Sequence, residues 1–285
     1  MRQAIKAYYR DKGLDKENDD FCPSVKTCKK SCEWGGRREF IPAIGAYVGE
    51  KYSDLKVLFV GINTRQEKAL SFDAPYKYGW FNNLKTKNGQ DMDGALNNIT
   101  QKLARFKSTT SNDPQDLIAF TNAVKCSAIG LAGAPTEVMC ANCIHIHGYL
   151  FDEIEILKPE LIMAFGEIPF SALLNKYIAD VSVIDENFKD WIFLIENETI
   201  KIVVIKLYNP GQGYRTPRDI YKKIKNGRPI SSQWTRFMPD IKNGKDNLTD
   251  ALLRKYADAN HIDPNDLFYD AMFDKLIEIA GRKIL

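Results

Sequence analysis

The sequence predicts an α/β fold: a three-layer α/β/α arrangement with a central, mainly parallel four-stranded sheet, plus a C-terminal helical appendage. Two observations carry that prediction. Short, continuous apolar runs bounded by Gly, Asn and Pro read as strands buried on both faces, and they alternate with segments of helical periodicity. Taken in order, residues 1–20 are polar and charged, with room for a short helix. "KVLFVG" (56–61) reads as the first core strand and "LIAFTNAV" (117–124) as the second. Between them, 65–115 is polar and rich in Asn, Lys and Gly, with a helix expected near 94–106. In "HGYLFDEIEILKP" (147–159), Leu150, Ile154 and Leu157 recur at helical spacing and Pro159 stops the helix. "ELIMAFG" (160–166) is a third strand, followed by the helix "IPFSALLNKYI". "DWIFLIENETIKIVVIKLY" (190–208) reads as a hairpin turning at "ENET", its second arm a fourth core strand. From "NLTDALLRKYADAN" onward the chain is again helical, which sets a 239–285 extension beside a 1–238 domain.

A chain of 285 residues with 44% hydrophobic content can bury a substantial core. Charged residues make up 27% with both signs interleaved, which argues against wholesale disorder. At a net charge of +3, any nucleic-acid footprint must be local. The opening "MRQAIKAYYRDKG" lacks the apolar segment of a secretory signal, and no run approaches the ~18 apolar residues of a membrane span. The expectation is a soluble, cytoplasmic protein with no membrane partner and no obligate protein partner. Disulfides are rare in that compartment. The six cysteines fall in two groups, Cys22, Cys28 and Cys32, then Cys126, Cys140 and Cys143, a grouping that suits a metal.

In parallel sheets ligands sit at the carboxyl ends of strands. Asn63, Asn122 and Tyr208-Asn209-Pro210 would gather there. No glycine loop of the P-loop or dinucleotide type is present, which disfavours a nucleotide-dependent enzyme.

These strand-end segments resemble the uracil-DNA glycosylase superfamily. Gly61-Ile62-Asn63 in "VLFVGIN" is similar to the first motif of the mismatch-specific thymine/uracil branch, although Thr64-Arg65 replaces the usual Pro-Gly. "NAVKC" (122–126) resembles the Asn-Val-Val-Lys-Cys stretch of the iron–sulfur branch. The stretch 149–174 is similar to the tyrosine-leucine helix, proline, strand and Gly loop of that same branch. "YNPGQGYR" (208–215) resembles the second catalytic motif, with Asn209 where most branches carry His. The resemblance covers roughly residues 28–215.

The resemblance implies a monofunctional DNA glycosylase that hydrolyses the N-glycosidic bond of a flipped uracil-like, mismatched or modified base. The transition state has oxocarbenium character. The Asn63 carbonyl would orient a water and stabilise the developing positive charge, and Asn209 would assist the departing base through a neutral hydrogen bond. Gly61, Ile62, Pro210 and Gly211 would shape the substrate pocket, Tyr76 of "DAPYKYG" would offer an aromatic face, and Asn122 would read a pyrimidine edge with its donor and acceptor. Gly166, Tyr214, Arg215 and Arg218 would contact DNA, the last two opening a basic run through Lys222, Lys223, Lys225, Arg228 and Arg236. Gly213 stands where the family inserts a wedge side chain.

The resemblance also implies a [4Fe–4S] cluster held by Cys28, Cys32, Cys126 and Cys143. Cys140 is the alternative to Cys143, and Cys22 could replace one of the first pair. Structural zinc is the alternative metal, with His145 and His147 as further ligands. Plainer readings stand beside these: Asn63 as a turn residue, Tyr76 as loop packing, the basic run as a solvated helix face, and the cysteines as unligated buried thiols. A non-catalytic DNA-binding protein that kept the glycosylase fold is the alternative function.

Overall fold

Four continuous apolar runs form the middle of one sheet, and the elements follow the chain in a simple order. The computed structural model describes residues 1–14, 22–34, 39–41, 45–63, 92–109, 111, 113–129, 135–208, 215–228, 250–259 and 267–284. Helices α1 (Arg2–Asp11) and α2 (Val25–Trp34) lead into strands β1 (Glu39–Ile41) and β2 (Tyr47–Val48). A short α3 (Tyr52–Leu55) precedes β3 (Val57–Asn63), and α4 (Met92–Phe106) precedes β4 (Ile118–Val124) and β5 (Ser127–Ile129). Next come α5 (Glu137–Cys140), continued by a π-helical stretch over Ala141–Ile146, then α6 (Tyr149–Leu157), β6 (Leu161–Phe165) and α7 (Glu167–Lys176). Strands β7 (Val181–Val183), β8 (Ile192–Glu196) and β9 (Lys201–Leu207) precede helices α8 (Arg215–Lys225), α9 (Asp250–Ala259) and α10 (Leu267–Ile284).

The sheet has seven strands in the order β2-β4-β3-β6-β9-β8-β7, not the expected four. Its middle, β4-β3-β6-β9, is parallel throughout, and these are the four strands legible as apolar runs. The additions are antiparallel: β2 on β4, the hairpin arm β8 on β9, and β7 on β8. Strands β2 and β7, of two and three residues, are too short to show a period. A separate antiparallel pair joins β1 to β5.

Alternation along the strands divides the core in two. Val57, Phe59, Ile118, Phe120, Met163, Phe165, Val203 and Ile205 form one cluster with residues of α4, α8, α9 and α10. Leu58, Val60, Ala119, Ile162, Ala164 and Val204 form the other with residues of α1, α2, α6 and α7. Phe59 and Phe165 stack across neighbouring strands at 5.7 Å. The C-terminal helix α10 buries Phe268, Met272, Phe273 and Leu276 in the first cluster, so it supplies part of the sheet's cover. Lys102 on α4 ties to it through Asp270 at 2.6 Å and Asp274 at 2.8 Å. Helix α6 ends as expected before Pro159: Lys158 turns left-handed at φ 47° and its N–H caps the Ile154 carbonyl.

Candidate active site at the strand ends

Parallel pairing of β3 with β4 sets the carboxyl ends of the two strands side by side. Gly61 is the register partner of Asn122, and Asn63 the partner of Val124. A side chain on Gly61 would run into Asn122 Oδ1 and press on the Phe120 ring, so the glycine makes room for the asparagine amide. Asn122 is only 5% exposed, and its side-chain amide makes no hydrogen bond to another described residue.

On the other flank of β3, β6 ends at Gly166, which adopts φ +94° and hands the chain to α7. The Gly166 N–H donates to the Leu207 carbonyl at 2.8 Å, joining the ends of β6 and β9. Ile62 is half-buried and lies against the Gly166 α-carbon, where an added methyl would meet Ile62 Cδ1 at 3.3 Å. Positive φ and that contact together explain glycine here. Beyond β9, the half-buried Tyr208 ring packs on Trp191 at 5.5 Å. Lys206 reaches across the Phe170 and Trp191 rings at 4.8 and 5.2 Å and bonds Glu167 at 3.0 Å, clamping the Gly166 turn to β9.

Gly61, Ile62, Asn122 and Gly166 therefore share one end of the parallel sheet, with the Asn63 backbone at the last position of β3. Tyr76, Asn209, Pro210, Gly211 and Tyr214 lie outside the described residues, as do the side chains of Asn63, Arg215 and Arg218. The basic run is helical over Arg215–Lys225; it buries Ile220 and Tyr221 and exposes Lys222, Lys223 and Lys225, with Arg228 exposed just beyond.

The thiols collect behind β4. Cys28 and Cys32 come from α2, Cys126 follows β4, and Cys143 sits in the π-helical stretch; all four are buried, as is Cys22. Cys126 and Cys143 are hydrogen-bonded to each other. That bond is the main cause holding the Cys143 thiol down at about 7; burial opposes it, and the Lys125 N–H and ammonium reinforce it. The same bond pushes Cys126 well up. Burial raises Cys28 to about 11, against a bond from Asn142 Nδ2 at 3.3 Å. Cys22 meets the Tyr149 hydroxyl at 3.3 Å and is also raised by burial. Cys22, Cys28, Cys126 and Cys143 all interact electrostatically, and Cys28 also with Cys32. Cys32 lies against Met139 Sδ at 3.6 Å as well, and burial pushes the half-buried Cys140 up to about 11. Among the described residues no three His, Cys, Asp or Glu side chains converge closely enough to hold a single metal ion. The donor chemistry, four buried thiols from three segments with amide and hydroxyl donors aimed at their sulfurs, suits a thiolate-held group.

Sequence reading missed a pair beside these thiols. Lys125 and Glu153, 1% and 0% exposed in their side chains, bond at 2.6 Å. A signal was present: Lys125 closes an apolar strand, and Glu153 falls between Leu150 and Ile154 on the buried face of α6.

No protein-family model matches the chain, and no curated protein shows significant sequence similarity to it.

Proposed function

We propose that the protein is a monofunctional DNA glycosylase acting at the carboxyl ends of β3, β4, β6 and β9. The observation that carries this reading is the Gly61–Asn122 pairing: a largely buried amide seated in a notch left by glycine, with Asn63 at the end of the adjoining strand. An amide with one donor and one acceptor face suits the edge of an extruded pyrimidine-like base. Asn63 positions a water against the anomeric carbon and offers its carbonyl to the developing positive charge. The water oxygen bonds to that carbon as the carbon–nitrogen bond breaks. The base leaves with the electron pair and is protonated, and an abasic site remains. The exposed lysines of α8 lie on the segment that follows β9 and would neutralise phosphates.

Within this reading the thiols hold a [4Fe–4S] cluster, with zinc as the alternative. The candidate ligands are Cys28, Cys32, Cys126 and Cys143, with Cys140 the alternative to Cys143 and Cys22 able to replace one of the first pair; all but Cys140 are buried. Such a group would clamp the N-terminal helices to the end of β4 and has no part in bond cleavage. Ligation requires thiolates, so loading would release protons and replace the Cys126–Cys143 hydrogen bond.

The test is base release from oligonucleotides carrying uracil, mismatched thymine, hypoxanthine or hydroxymethylated cytosine, using anaerobically prepared protein and alkali to reveal abasic sites. Cleavage confined to one base and reduced at least about 100-fold in Asn63→Ala supports the reading. Equal cleavage by both proteins sinks it. Salt-sensitive binding with no base release would instead establish the non-catalytic DNA-binding alternative.

A further inference from the structure

The Lys125–Glu153 pair is fully enclosed, and each of its polar atoms is used. The Lys125 ammonium donates to Glu153 Oε1 at 2.6 Å, Thr121 Oγ1 at 2.8 Å and the Asn122 backbone carbonyl at 2.8 Å, which accounts for its three protons. Thr121 Oγ1 donates to Glu153 Oε2 at 2.7 Å, and Tyr9 donates its hydroxyl proton to Glu153 Oε1. Tyr9 in turn accepts from the Ala46 N–H at 3.0 Å. A chain of charge-assisted bonds thus runs from α1 through α6 to the peptide of Asn122, the residue whose amide occupies the Gly61 notch.

Stability is a poor reason for such a network. A buried ion pair gains little over well-packed apolar side chains of the same volume, whereas its geometric demands are strict. Here those demands fall on Thr121 and Asn122. Main-chain pairing of β4 with β3 runs through Val124; the ammonium adds a second grip, on the Thr121 hydroxyl and the Asn122 carbonyl together. Helix α1, remote from the strand ends, becomes part of the same constraint through Tyr9.

We infer that Lys125 and Glu153 are positioning residues that fix Asn122 for base reading, so that the selectivity of the site depends on a buried ion pair that never touches the base. This rests on the glycosylase reading, which the experiment tests separately. Lys125→Met alone strands the Glu153 carboxylate and lowers the melting temperature. Lys125→Met combined with Glu153→Gln removes both charges while the Gln carbonyl still accepts from Tyr9 and its amide nitrogen donates to Thr121 Oγ1, no longer taken by the ammonium, and restores folding. In that double variant the side-chain amide resonances of Asn122, assigned by their loss in Asn122→Asp, are expected to shift and broaden. Selectivity for the preferred base over the normal base, measured as a ratio of kcat/KM, is expected to fall roughly 10- to 100-fold, the worth of one charge-assisted hydrogen bond. Melting and non-specific duplex binding should match wild type. Unchanged Asn122 resonances in a well-folded double variant overturn the inference whether or not the protein releases a base. Shifted resonances with undiminished selectivity also overturn it. Absence of base release by the wild-type protein counts against the glycosylase reading alone, and the resonances still decide the relay.

Discussion

The two faces of the sheet are built on different principles. Toward α4, α8 and α10, the described core is apolar: Phe59, Phe120 and Phe165 meet Leu276 and Phe273, and the ion pairs of Lys102 stay at the rim. Toward α1, α2, α6 and α7, a core of similar extent encloses five buried cysteines, a lysine and a glutamate. An apolar face tolerates repacking and needs only volume and pattern. A face with enclosed charges and thiols holds together only when each polar atom finds its partner. The first face makes a platform, and the second fixes the end of β4, where the Gly61–Asn122 notch lies.

The comparison breaks most visibly when one group is removed from each face. Glu153→Ala should cost about 3–5 kcal/mol, because it leaves the Lys125 ammonium enclosed without its counter-charge. Leu276→Ala on the apolar face should cost about 2–5 kcal/mol through lost burial and the cavity left behind. Urea unfolding separates the causes. Adding Lys125→Met to Glu153→Ala should recover a large part of the loss, whereas no second substitution of a charged residue should rescue Leu276→Ala. A Leu276→Ala loss confined to a separate, early transition would detach α10 from the core; a single shifted transition would confirm that the C-terminal helix folds with the sheet.

The strand-end notch offers a smaller and more local break. In Gly61→Ala the new methyl meets Asn122 Oδ1, and the Phe120 ring stands at 3.2 Å behind it, so the amide must turn away. Overpacking of this kind should cost about 1–3 kcal/mol. The sharper consequence is functional: base selectivity should suffer more than the melting temperature suggests, since the displaced group is the proposed reading amide. Wild-type selectivity in a Gly61→Ala protein of lowered stability would remove Asn122 from base reading.

What could be read from the sequence follows the same division. Strands β3, β4, β6 and β9 were legible because a parallel strand covered on both faces is a continuous apolar run. The same rule failed for β2 and β7, whose two or three residues carry no period, and the hairpin's first arm, β8, was read as a strand but not counted into the sheet, so four strands were expected where there are seven. Asn122 could be picked out as an amide at the end of an apolar strand, and Gly61 and Gly166 through the motifs that resemble the glycosylase superfamily. Lys125 and Glu153 left only a faint signal, one charge closing an apolar strand and another on the buried face of a helix; charged residues are ordinarily solvated, and tertiary pairing is what shows these two enclosed.

The smallest expected effect concerns an ion pair at the rim, which should behave unlike the enclosed one. Glu160, at the start of β6, accepts from Lys56 at 3.0 Å and from Lys107 at 2.5 Å. Partial burial by itself would raise its carboxyl, but the hydrogen bonds and charges of the two lysines outweigh that and hold it below the ordinary 4.5. A carboxyl lowered in the folded state stabilises above its unfolded value, and the contribution disappears as pH falls through the folded value. The side chain is 37% exposed, so solvent screening limits the gain to about 1 kcal/mol or less. Glu160→Gln should therefore lower the melting temperature slightly at pH 7 and match wild type once the pH is well below 4.5. The gap at pH 7 should narrow in high salt, as it does for charges that water can reach. A large, salt-insensitive loss in Glu160→Gln would mean that this rim pair behaves like the Lys125–Glu153 pair, and that enclosure is not what distinguishes the two.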